Sequence, residues 1–243
     1  MDPDATARSK ATGSPWLIML TVGLIGAGLT VIGINAGLPR WAPPPGPPAA
    51  AARPLAPSLD GGAAAADGDG DGDGHERGRP APLPRSVPVS LTIPAIGVNA
   101  QVIPLGLDAG GGVAIPPLST PFLTSWYDQG PAPGQDGPAV LLGHVDAADV
   151  GPAVFYKLGD LVPGDLVYVS RRDHRTAVFR VTAVAMYQEQ NFPTKQVYGF
   201  TQDPTLRLIT CGGDYDPQTH YYLDRTIAFA VYTGERPVSS GRR

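Results

Sequence analysis

The chain has 243 residues, of which 31 are glycine and 28 proline, a net charge of −4 at neutral pH and one cysteine. This length allows one or two domains, the mild negative charge argues against a nucleic-acid partner, and a single cysteine excludes an intrachain disulfide. Glycine and proline are concentrated in one stretch, which marks a disordered segment beside a folded part.

Residues 1–15 are short and polar, with Arg8 and Lys10 close to an apolar boundary. Residues 16–38 read WLIMLTVGLIGAGLTVIGINAGL, without a charge. That run is long enough to cross a bilayer as one helix and longer than a secretory h-region. An uncleaved signal anchor is expected, with the N-terminus cytoplasmic and the rest of the chain outside the cell at the membrane. Residues 39–88 read as a disordered linker with proline clusters, an alanine run and the tract DGDGDGDG from Asp67 to Gly74. Too few large apolar side chains occur there to offset the entropy of ordering. The tract resembles the front of an EF-hand loop, but its twelfth position is Gly78, where a bidentate glutamate is needed. A flexible linker of this length spans roughly 40 Å, enough to hold a folded domain off a membrane.

From Val87 the character changes to short apolar runs punctuated by Gly, Pro and Asp. Strands are expected at Val89–Ile93, Asn99–Leu105, Gly112–Ile115, Ala139–His144, Leu166–Ser170, Thr176–Met186, Leu206–Thr210 and Arg225–Tyr232. One short helix is expected near Ala153–Leu158, with Phe155 and Leu158 turned inward. A mainly β barrel or sandwich follows, folded over residues 89–236, with a flexible tail at 237–243. About 145 residues suffice to bury such a core.

Cys211 ends the run Thr205–Thr210, and Gly212-Gly213 is expected to break the strand directly after the thiol. A long polar loop then leads to Arg225 at the head of the next strand. Adjacent strands lie about 5 Å apart, so a thiol and a guanidinium can face one pocket. A free cysteine is most often a small buried hydrophobe; a strand-end position beside a permanent cation points instead to a nucleophile. Four histidines compete as acid and base. His75 lies in the linker, His174 in the charged turn RRDHRT, and His220 in the loop after Cys211. His144 ends the apolar run Ala139–Gly143, a rigid position, although a strand-end imidazole can also simply bond a backbone carbonyl. Asp146 reads as an orienter of His144 or as a surface turn residue. The histidines are scattered and Tyr187–Pro204 offers only Glu189 and Asp203 as carboxylates, so neither a metal nor a cofactor is expected.

L-I-T-C at Leu208–Cys211, followed by Arg225, resembles the T-L-x-T-C motif and downstream arginine of the sortases, cysteine transpeptidases of Gram-positive surfaces. Gly143-His144 matches the family's histidine. The similarity runs from about Val89 to Thr233 and includes LTIPAIGV, SWYDQGPAPGQDGPAVLLGH and LGDLVPGDLVYV; it is greatest to the actinobacterial class F group. Arg207 departs from the family's first motif threonine, and the segment between Cys211 and Arg225 has its own length. The resemblance implies a closed eight-stranded β-barrel with one or two short helices. It also implies a monomeric enzyme that cuts an LPxTG-type sorting signal between Thr and Gly and passes the acyl group to a cell-wall amine. His144, Cys211 and Arg225 would be catalytic, and Thr210 would orient substrate. Two other readings are a Cys/His peptidase releasing to water (or a wall L,D-transpeptidase, whose S-x-G-C arrangement is missing here) and a non-enzymatic wall-facing module.

Overall fold

The computed structural model describes residues 44–48 and 79–237. The expected membrane segment at 16–38, most of the expected linker with His75 and the Asp-Gly tract, and nearly all of the expected tail lie outside them. Among the described residues no helix is long and apolar enough to cross a membrane.

Among the described residues ten strands form, in chain order β1 Pro88–Ile93, β2 Val98–Leu105, β3 Thr124–Tyr127, β4 Gly137–Gly143, β5 Asp146–Ala147, β6 Gly151–Pro152, β7 Leu166–Arg171, β8 Arg175–Gln188, β9 Pro204–Asp216 and β10 Tyr221–Pro237. Eight of them close a barrel in the order β1-β2-β3-β4-β9-β10-β8-β7, while β5 and β6 make a separate two-stranded ribbon. Strand pairs β2/β3 and β4/β9 are parallel; β1 closes the barrel against β7 antiparallel. The mainly β class and the closed eight-stranded barrel thus agree with expectation.

Side chains alternate between faces along a strand, and the chain uses both faces of the sheet β4-β9-β10-β8. Leu141, Leu206, Leu208, Ala228 and Val184 point into the barrel and join Leu91, Ile93, Val169 and Phe179 in the main core. Val140, Ile209, Ile227, Phe229, Ala183 and Ala185 point outward into a second cluster. The short helix α1, Thr194–Tyr198, adds its fully buried Val197 to that outer cluster.

Three expectations are corrected. The segment Gly112–Ile115 is a loop whose Val113 makes one isolated bridge with Leu107; Asp108 accepts hydrogen bonds from the amides of Gly110 and Gly112 and folds the glycine-rich turn back on itself. The eighth barrel strand is β3, too short to stand out as a pattern. Residues 154–157 form turns and Leu158–Asp160 a 3-10 turn, although Phe155 and Leu158 are fully buried as expected. The α-helix lies instead at Thr194–Tyr198.

The fold also begins earlier than expected. Leu83 is buried and its amide donates to the Gly134 carbonyl. Arg171, fully buried, donates to the carbonyls of Pro84 and Pro133 and pairs with Asp173. Arg85 donates to the carbonyls of Gly130 and Asp128 and lies over the Trp126 ring. The end of the expected linker is therefore a strap on the barrel. A chain starting at Arg79 should unfold cooperatively, and one starting at Pro84 should be less stable by about 2 kcal/mol, the scale of one buried leucine. Equal urea midpoints for the two would contradict this role for Leu83.

Candidate active site

Gly212-Gly213 does not end the strand after Cys211. β9 continues to Asp216 and pairs with β10 up to a tight tip, where Asp216 faces Tyr221. The ladder imposed by β10 outweighs the poor strand propensity of two glycines. Cys211 is thus inside a long hairpin.

The pairing carries one irregularity, and it decides which way Arg225 points. Near the tip Tyr222 faces Tyr215; past it Asp224 faces Gly212, Arg225 faces Cys211 and Thr226 faces Thr210. One extra residue on β9 is absorbed as a bulge at Gly213–Asp214, and a bulge shifts register by one. Without it Thr226 would face Cys211 and Arg225 would turn to the other side of the sheet. Gly213 makes the bulge possible: its φ is +72°, and a Cβ there would lie 2.0 Å from Asp224 Oδ2.

On the other side of Cys211, β4 runs parallel to β9 with Leu142 beside Ile209. Two residues on, His144 follows the end of β4 and Cys211 continues β9, and alternation carried one residue past β4 puts both on the outward face. On the far side, Arg225 faces Tyr187 of β8. The four residues form one row across β4-β9-β10-β8, directly above the apolar row Leu142, Ile209, Ile227 and Ala185. Adjacent strands lie about 5 Å apart, and Cys211 is on the strand between β10, which carries Arg225, and β4, which leads to His144.

His144 is fixed by its surroundings. Its Nε2 lies 2.6 Å from the Pro116 carbonyl, an acceptor only, so Nε2 carries the proton and Nδ1 is left as the basic nitrogen. The Phe155 amide donates to the His144 carbonyl at 2.9 Å. Gly143 permits this approach: a Cβ there would lie 2.7 Å from both Val154 and Phe155 side chains. The carbonyl contact foreseen for a structural histidine is therefore present, but it occupies one nitrogen.

Thr210 lies one residue before Cys211 on β9. It points away from Cys211, is buried, and donates its hydroxyl to the Gly143 carbonyl at 2.9 Å. It ties β9 to the end of β4 and does not face the row. Asp146 accepts a hydrogen bond from the Tyr222 hydroxyl, linking the residues after His144 to β10. Burial first, then that carboxylate, push the Tyr222 hydroxyl well above the ordinary phenol range. His220 sits at the hairpin tip, held by the Tyr215 hydroxyl at 3.1 Å. The strand from Cys211 to Asp216 carries it about 15 Å from the thiol. His174 is an exposed turn residue. Arg207 shares the outward face but is buried over the Phe229 ring and donates to the Gln196 carbonyl of α1; burial lowers its pKa to about 10.

Glu189, noted in the sequence only as a sparse carboxylate, accepts a hydrogen bond from Arg225 Nη2 at 2.8 Å. No sequence pattern flags this contact, because it depends on how the chain turns after β8. Burial pushes the Cys211 thiol above its ordinary range; Arg225 pulls it down, and Asp146 and Glu189 push it up. Removing the cation disfavours the thiolate further. Arg225→Gln should therefore move the pH midpoint for alkylation of Cys211 upward, and an unchanged or lower midpoint would contradict the pairing.

A nucleophile, a base held through its far nitrogen and a cation in one row suit acyl transfer. A family model described as a sortase domain matches residues 91–233, more than half of the chain. The chain belongs to the sortase family. Sortases are cysteine transpeptidases, and the sole cysteine of this one stands at the centre of the row. Among solved structures, sortase A from Listeria monocytogenes is 17% identical with a TM-score of 0.48, covering 64% of this chain and 92% of that one. The SrtA sortase from Actinomyces oris is 17% identical with a TM-score of 0.47, covering 69% and 93%. Sortase C-1 from the same organism is 19% identical with a TM-score of 0.46, covering 59% and 72%. A search of curated proteins finds no match.

Proposed function

We propose that this sortase is anchored in the cell membrane by residues 16–38, with its barrel outside the cell. There it cuts an LPxTG-type sorting signal between Thr and Gly and joins the new carboxyl end to an amine of the cell wall. The observation that carries the reading is the row His144–Cys211–Arg225.

Burial keeps the resting thiol protonated, so attack begins with transfer of its proton to His144 Nδ1. The Cys211 sulfur then bonds to the threonine carbonyl carbon, and the oxyanion is met by the Arg225 guanidinium. The C–N bond breaks as His144 returns the proton to the departing glycine amine, leaving a thioester on Cys211. An acceptor amine attacks that thioester, His144 takes its proton, and the sulfur leaves as thiolate. Thr210 acts at one remove, by holding Gly143 and hence His144. The similarity along LTIPAIGV, SWYDQGPAPGQDGPAVLLGH and LGDLVPGDLVYV supports assignment to the actinobacterial class F group. The anchor reading rests on the uncharged run at 16–38.

The test is incubation with a panel of LPxTG-like peptides, with and without an amine acceptor, and identification of products by mass. A ligated product with the amine establishes transfer. Cleavage that ignores every amine favours a peptidase, and no reaction on any peptide favours a binding module.

A further inference from the structure

We infer that Glu189 is a positioning residue for Arg225, setting the direction of the guanidinium beside Cys211 without touching substrate. This rests on the transpeptidase reading above. Arg225 has five N–H donors. Nη1 is spent on the carbonyls of Tyr222 and Asp224, at 3.2 and 3.1 Å, and Nη2 on Glu189 Oε1 at 2.8 Å. The carbonyls belong to β10 itself and fasten the stem. Among the described residues Glu189 is the one hydrogen-bond partner of Arg225 that comes from another part of the chain. Nε–H has no acceptor among the described residues and remains for an oxyanion.

The pair is a poor stabiliser of the fold, because the Glu189 side chain is 57% exposed against 19% for Arg225 and exposed ion pairs contribute little. Its consequence is directional: a guanidinium donates in a fixed plane, so fixing one nitrogen fixes the others. The position of Glu189 follows from the ladder. Tyr187 is the β8 residue that faces Arg225, β8 ends at Gln188, and the 3-10 turn Glu189–Asn191 begins at once. That turn brings the carboxylate back over the row and then leads on to α1. The groups around the thiol are His144 just after β4, Asp146 from β5, Tyr222 and Arg225 from β10, Tyr187 from β8, and Glu189. Among them Glu189 contacts the cation, and it is also one of the two carboxylates that oppose ionisation of Cys211.

The test uses the full-length protein in detergent, with Glu189→Ala, Glu189→Gln and Arg225→Gln. Glu189→Ala should lower kcat about tenfold, the scale of a misdirected catalytic group, and leave KM within about twofold. Glu189→Gln keeps an acceptor oxygen and should retain kcat within about threefold. In the Arg225→Gln background, Glu189→Ala should add nothing further, because the two act as a unit. Independently of any peptide, Glu189→Gln should move the alkylation midpoint of Cys211 to lower pH, since a negative charge is removed. An unchanged kcat in Glu189→Ala, a change in KM alone, or a full additive loss in the Arg225→Gln background would overturn the inference. If the wild type turns over no peptide, the transpeptidase reading fails by itself. Glu189 is then judged on alkylation, where identical midpoints in all Glu189 variants would overturn it.

Discussion

Gly213→Val should reduce kcat/KM by about 100- to 1000-fold, the range for loss of one oxyanion donor, although residue 213 itself touches no reacting atom. A valine cannot hold φ near +72°, and its Cβ would collide with Asp224. Strain at 213 is relieved if the bulge migrates inward along β9 to Thr210, so that the tip register runs as far as Thr226 while the core keeps the pairs from Ile227–Ile209 onward. Under that register Thr226 replaces Arg225 opposite Cys211, and Arg225 turns to the other face. The thiol keeps its place, because β9 remains held to β4 by the pairs Leu141–Leu208 and Leu142–Ile209. Alkylation of Cys211 should persist, with its midpoint moved to higher pH as in Arg225→Gln. A Gly213→Val protein with wild-type turnover would show that the bulge does not control where Arg225 points.

Cys211→Ala should lose at least about 10⁴-fold in transpeptidation, since no other side chain in the row forms a thioester. Its stability should change by no more than about 1 kcal/mol, because one small half-buried group is exchanged for another. That combination separates an enzyme from a binding module, for which Cys211→Ala would leave function intact. Position takes His220 and His174 out of contention: one stands at the hairpin tip and the other in the β7–β8 turn, and neither shares the row.

Much of this site is legible in the sequence because two rules suffice for it. Alternation of side chains puts Ile209 with Cys211 and Leu142 with His144, and both apolar runs end on a chemically active residue. The main-core strands are likewise visible as apolar runs. What escapes the sequence depends on pairing between distant segments. Nothing local shows that Gly212-Gly213 continues a strand, since the ladder to Tyr221–Arg225 supplies the stability those residues lack. The bulge that aims Arg225 is a one-residue register difference, invisible until both strands are laid side by side. β3 is four residues long and gains its identity from β2 and β4. For Thr210 the family resemblance implies a role in orienting substrate, whereas alternation turns its side chain to the face opposite Cys211 and its hydroxyl onto Gly143. Glu189 sits in a stretch with no pattern and enters the site through a turn.

The most direct test of the account is the intact mass of the protein after brief exposure to an LPxTG-like peptide without an amine acceptor. The account predicts a species heavier by the acyl fragment ending in threonine, mapped to Cys211, and discharged with ligation when an amine is added. Peptide cleavage by the wild type with no such species, or the same adduct on Cys211→Ala, would contradict a thioester at Cys211 as the intermediate.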